Sequence, residues 1–257
     1  MEFSQAIPYP LLVGAIFCFG LVVGSFVNVC IYRLPKKESV VFPGSHCPAC
    51  SSALRPLDNI PVISYIVLRG KCRHCSVCIS PIYPAIEMVT AILLLAGILK
   101  FGLTFEFLVY CVIAPALVII TAIDIEHQII PDVITLPGII LGLAVGACTI
   151  GYTASLTGIF VGGGLLFSLA ALSNGGLGEG DIKYTAAIGA FLGWQQVLLV
   201  IIIGSFLGSI VGVFQILAQK KSRKNLIPFG PFLASATLIT LFYGNSLIRL
   251  YLDYLAG

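Results

Sequence analysis

Long apolar runs limit what this chain can become before any motif is considered. Residues 11–32 (LLVGAIFCFGLVVGSFVNVCIY) carry no charged side chain. As a helix rising 1.5 Å per residue they cross about 30 Å of hydrocarbon. Further runs follow at 86–103, 107–123, 133–151, 155–173, 181–194, 196–218 and 229–253. The 181–194 run is opened by Asp181 and Lys183 and its apolar part (TAAIGAFLGW) is short, so a re-entrant segment is the alternative there. Of 257 residues 58% are hydrophobic and 10% charged, against roughly 25% charged in a soluble domain. A water-soluble globule is excluded. The expected fold is an all-α polytopic membrane protein of about eight transmembrane helices, most of its surface facing membrane lipid.

The placement of the few charges predicts the topology. Arg33, Lys36, Lys37, Arg55, Arg69, Lys71 and Arg73 lie in the polar stretch 33–84, and Lys220, Lys221, Arg223 and Lys224 lie between the last two runs. Basic loops stay in the cytoplasm. With the amino terminus outside, eight crossings bring 33–84, 124–132, 174–183 and 219–228 to that side, and the parity is consistent. The formal charge of +3 is too small to indicate a nucleic-acid partner. Residues 1–10 contain Glu2 and no Lys or Arg, so the first run reads as a retained span rather than a cleaved signal. Three parts follow: 1–32 as the first transmembrane helix, 33–84 as a cytoplasmic insertion, and 85–257 as a membrane core.

The insertion is too short for a self-sufficient hydrophobic core and needs a staple. It contains Cys47-Pro-Ala-Cys50 and Cys72-Arg-His-Cys75. Two CxxC pairs can surround a tetrahedral Zn²⁺ with four thiolates, and binding then supplies folding free energy. Reduced, metal-free cysteines and a redox pair are the alternatives, although redox chemistry explains poorly why there are two pairs. A four-thiolate zinc has no open position for water, so its role is structural. His46, His74 and Cys78 flank the set.

Chemistry must come from elsewhere, and the acidic residues at the same membrane face are the candidates. Asp124 ends the third run, and Asp181 opens the sixth within Gly178-Glu-Gly180-Asp181-Ile-Lys183. Two carboxyl groups that share a proton acquire separated affinities, so one can act as base toward water and the other as acid toward a peptide carbonyl. Gly178 and Gly180 could let a substrate backbone pass close to Asp181. Taken alone, Gly-x-Gly-Asp is a weak signal, and the plainer reading is an Asp serving as a helix N-cap with glycines in the preceding turn. Asp132 can cap the following span, Glu126 and His127 can face the headgroups, and Glu87, just inside the second run, is a secondary candidate with a helix-dipole explanation.

Taken together, these segments resemble the prepilin peptidase, or type IV leader peptidase, family. The resemblance runs through Gly24-Ser25-Phe26-Val27-Asn28-Val29 with Arg33-Leu34-Pro35, the two CxxC pairs, Asp58-Asn59-Ile60-Pro61 with Ser64, Tyr83-Pro84 with Glu87, Asp124 with Pro131-Asp132, and Gly178 to Lys183. Tyr65 departs from it, standing where related proteins often have tryptophan. The resemblance implies catalytic roles for Asp124 and Asp181, with Gly178, Gly180, Lys183 and Glu87 in support. It implies a bifunctional enzyme of the bacterial inner membrane. Such an enzyme cleaves the basic leader from prepilins or pseudopilins of pilus and type II secretion systems on the cytoplasmic side. It then methylates the new amino terminus with S-adenosylmethionine, an activity tied to the cysteine-containing insertion. The competing expectations are a peptidase without methyltransferase activity and a zinc-stabilised assembly or transport component.

Overall fold

The computed structural model describes residues 9–172, 178–219 and 227–256. Regular structure among them is helical, apart from two isolated antiparallel bridges, His46 with Ala53 and Lys71 with Cys78. Lys220, Lys221, Arg223 and Lys224, and residues 174–177 of the predicted 174–183 turn, lie outside the described residues. Two compact units divide the chain between Ile119 and Ile120.

The first unit holds α1 (Tyr9–Arg33), the insertion with its short α2 (Ile63–Val67), α3 (Ile82–Phe101) and most of α4 (Phe105–His127). Small residues decide how α1 meets α3. A Cβ added at Gly20 would lie 2.5 Å from the Ala91 Cα, and one at Gly24 would lie 2.6 Å from the Glu87 Cα. The two backbones therefore touch, the usual basis of helix association where lipid removes the hydrophobic drive. Gly97 of α3 leaves room for the Tyr110 ring of α4, whose hydroxyl donates to the Leu93 carbonyl at 3.0 Å.

The second unit begins in the last turns of α4 and continues through α5 (Asp132–Thr149), α6 (Tyr152–Leu172), α7 (Glu179–Leu192), α8 (Trp194–Gln219) and α9 (Gly230–Ala256). Its centre is α7, which packs against α5, α6 and α8 and is buried without a break from Tyr184 to Phe191. Gly158 of α6 and Gly189 of α7 form a reciprocal crossing in which a Cβ on either would strike the carbonyl of the other. Hydroxyls fasten the same core. Ser155 Oγ donates to the Ala190 carbonyl at 2.7 Å, Thr185 Oγ1 to the Gly162 carbonyl at 3.1 Å, and Tyr184 shares a 2.7 Å hydrogen bond with Thr237 of α9.

Seven helices among the described residues are long and apolar enough to cross a membrane. They correspond to every predicted span except 181–194, so the expected count of about eight holds only approximately. With 14 residues, α7 reaches roughly 21 Å, short of the hydrocarbon thickness. The physical reason lies in its surroundings: a helix enclosed by its neighbours has no lipid-facing length to match.

Candidate active site and metal centre

Asp124 lies in the last turn of α4, where the carbonyl ends of a helix disfavour a negative charge. Compensation comes from a distant part of the chain. Gly230, the first residue of α9, donates its N–H to Asp124 Oδ2 at 2.7 Å. A side chain at Gly230 would meet the same oxygen at 2.8 Å, so only glycine admits this approach. Nothing in a pattern of apolar runs signals it. Phe229-Gly230-Pro231 reads as an ordinary helix start.

Asp181 occupies the third position of α7, whose cap residue is Gly178. Its carboxylate accepts the Gly178 N–H, while the Asp181 N–H donates to the Gly178 carbonyl at 3.2 Å. That exchange resembles a capping box closed by a shorter acid. The cap of this helix is therefore Gly178 and not Asp181, which stands in the first turn and reaches back to it. Asp124 and Asp181 are both buried, 6% and 9% exposed, and are near enough that the charge of Asp124 acts on Asp181. Each carboxyl group accepts a backbone N–H at the start of a helix, α9 for Asp124 and α7 for Asp181, where the positive helix end favours negative charge.

The supporting residues do more local work than the motif implies. Gly180 gives its space to Ile130, whose Cβ would stand 2.8 Å from an added methyl, and this seats the turn after α4 against the start of α7. Lys183 is committed to Asp132, with Nζ 2.8 and 2.9 Å from the two carboxylate oxygens. Asp132 lies inside the first turn of α5 with Pro131 as the cap, so it anchors Lys183 instead of capping the span. Glu126 and His127 are exposed.

In the insertion, the sulfurs of Cys47, Cys50, Cys72 and Cys75 lie within 4.8 Å of one another, a set that could hold a metal ion. The Cys47 and Cys75 sulfurs are 3.8 Å apart, and tetrahedral Zn–S bonds of about 2.3 Å require S···S separations of roughly 3.8 Å. The donors fit zinc. The two CxxC segments share one backbone design. Ser51 and Ser76 donate to the Cys47 and Cys72 carbonyls at 2.8 and 2.9 Å, and Cys47 and Cys72 donate to the Ser52 and Val77 carbonyls at 2.9 Å each. Ser51 and Ser76 both sit in the left-handed region, φ 54° and 58°. The sequence shows no internal repeat, yet the backbone repeats this knuckle twice.

Polar residues near the end of α1 organise the polypeptide around the knuckles. Arg33 donates to the carbonyls of Ser39, Pro43 and Gly44 at 2.9, 2.7 and 3.3 Å, and Asn28 to that of Tyr83 at 3.0 Å. Arg73, inside the second knuckle, forks onto Asp58, with Nη2 2.6 Å from Oδ1 and Nε 3.1 Å from Oδ2. Those hydrogen bonds, with the arginine's charge, hold the Asp58 carboxyl below its ordinary value. Glu87 accepts the Val62 N–H at 2.7 Å. Val62 adopts φ 60°, a strained backbone for a β-branched residue that this bond helps to hold.

The fold and these sites define a class, a polytopic helical membrane protein with a buried carboxyl pair in one unit and a four-cysteine cluster in the other. Residues 18–101 match the bacterial peptidase A24 N-terminal domain, and residues 111–213 match the type IV leader peptidase family. Prepilin leader peptidase/N-methyltransferase of Aeromonas hydrophila is 33% identical, over 98% of this chain and 97% of that one. Its namesake in Pseudomonas aeruginosa is 36% identical, with 91% of each chain covered. The Bacillus subtilis relative of the same name is 32% identical over 96% of this chain and 100% of its own. No solved structure matches. The chain belongs to the type IV leader peptidase family and is a multi-pass membrane enzyme of it.

Proposed function

We propose that this protein is an aspartic endopeptidase that removes the basic leader of type IV prepilins or pseudopilins, the latter serving type II secretion, and then N-methylates the new terminus. The observation that carries the reading is that Asp124 and Asp181, both buried, lie where α4 ends and α7 begins, near enough for the charge of Asp124 to act on Asp181. The names of the relatives support the substrate and both activities. In the first step the two carboxyl groups hold one water between them. One carboxylate takes a proton as the water oxygen attacks the scissile carbonyl carbon. The other, protonated, gives its proton to the departing nitrogen as the C–N bond breaks. The Gly230 and Gly178 N–H groups fix the two carboxyl groups against rotation.

Cys47, Cys50, Cys72 and Cys75 would hold a structural Zn²⁺, with the sulfur spacing in support. S-adenosylmethionine, when bound, supplies an electrophilic methyl group to an amine nitrogen. Basic residues in 33–84 support an inner-membrane topology with the insertion and the aspartates on the cytoplasmic side. The test is reconstitution with a prepilin and mass analysis of the product. Expected are a cleaved leader and a terminus heavier by one methyl group. An uncleaved substrate overturns the peptidase reading, and a cleaved product without the added mass overturns the methyltransferase reading.

A further inference from the structure

Within the first unit a cavity of about 420 Å³ opens among the knuckles and the adjoining ends of α1 and α3. Small-molecule sites run from roughly 300 to 1,000 Å³. Four residues of fixed charge type line it: Arg33, Asp58, Arg73 and Glu87. The protein itself satisfies three of them. Arg73 and Asp58 neutralise each other, and Arg33 is spent on three backbone carbonyls.

Glu87 is different. It is 9% exposed, and its hydrogen bonds come from neutral groups, the Val62 N–H at 2.7 Å and the Ser25 side chain. Among the described residues no cationic side chain forms an ion pair with it. A carboxylate withdrawn from water without a counter-charge is costly, and a cationic ligand entering the cavity would remove that cost. The nearby apolar walls, including Leu54, Leu68 and the Tyr65 ring, suit a flat heterocycle. The donor set therefore fits a ligand that joins an aromatic base to a cationic centre.

We propose that Glu87 is the anionic anchor of this cavity and that its ligand is the cationic, adenosine-bearing methyl donor; the inference rests on the methyltransferase reading above. It gives Glu87 a role in the second activity, apart from the carboxyl pair.

The experiment uses the full-length, zinc-loaded protein and two analogues, sinefungin and S-adenosylhomocysteine. Sinefungin carries an amine-bearing carbon where the donor has its sulfonium, and S-adenosylhomocysteine has a neutral thioether. Calorimetry should show that Glu87→Gln, which keeps an oxygen for the Val62 N–H, weakens sinefungin binding by roughly tenfold or more. A loss confined to sinefungin sets the sulfonium at Glu87, and an equal loss for both analogues sets the α-ammonium there; either sustains the anchor. Dissociation constants unchanged for both overturn it. Zinc content and melting temperature serve as the check on folding. If the variant loses either, ultraviolet cross-linking of methyl-labelled S-adenosylmethionine to the unsubstituted protein decides. Label within residues 25–87 sustains the site, and label only beyond residue 119 overturns it. A protein that methylates its product yet binds neither analogue overturns the anchor and leaves the methyltransferase reading standing. One that cleaves and never methylates overturns that reading and this inference together.

Discussion

Asp124 and Asp181 both depend on backbone donors at helix starts, and those donors define what substitution should do. Asn at either position preserves an oxygen for the Gly230 or Gly178 N–H but cannot exchange a proton. Asp124→Asn and Asp181→Asn should each lower leader cleavage by roughly 10²- to 10⁴-fold with helical content intact, measured by peptide release and circular dichroism. Cleavage near the unsubstituted rate in either would remove that residue from catalysis. Gly230→Ala tests the geometry from the other side. Its methyl would stand 2.8 Å from Asp124 Oδ2, forcing the carboxyl group aside, and a displacement near 1 Å costs about 10²-fold in rate. The two aspartates were legible as candidates because they lie at the ends of apolar runs, and the resemblance of their motifs to the leader peptidase family is what implied a catalytic role. Gly230 was not, because the bond it makes spans 106 positions of sequence and leaves no local pattern. Lys183 was legible as part of a motif, but its partner Asp132 emerged only from the packing of α7 against α5.

At the scale of elements, the long helices were readable because a span must hide every backbone polar group and cover a fixed thickness with apolar side chains. What the runs did not reveal is which glycines matter. Gly164, the last of three consecutive glycines, faces nothing within 4 Å, whereas Gly158 and Gly189 are locked against each other. Gly189→Leu should therefore destabilise the protein by about 1–3 kcal/mol or more, and Gly164→Leu should be tolerated, as read from melting temperatures in detergent. The knuckle element makes a prediction about pH. Pairing lowers the Asp58 carboxyl, so its contribution is full above the unfolded value of about 3.9 and fades only as pH falls through the lower folded one. Asp58→Asn should hasten zinc release to a chelator, and the difference from the unsubstituted protein should be flat between about pH 6 and 8. A difference that grows or vanishes across that window would show that Asp58 does not act through this ion pair.

At the scale of the molecule, the carboxyl pair belongs to one compact unit and the cysteine cluster to the other. Chelating the metal, or substituting Cys47→Ser, should abolish methylation of the cleaved product while leader cleavage persists. Parallel mass analysis and a cleavage assay would show it, and simultaneous loss of both activities would reveal that the cluster also supports the peptidase. The sequence by itself determined the solvent, the order of the helices and the two CxxC pairs, and it singled out the two aspartates through the resemblance of their motifs to one family. The first three follow from composition or from residues close together along the chain. Only the tertiary structure decided that α7 is an enclosed core helix, that Gly230 secures Asp124, and that Glu87 lines a cavity without a counter-charge. Those facts depend on which backbones come within hydrogen-bonding reach of one another, and periodicity and spacing carry no information about partners so far away in the chain.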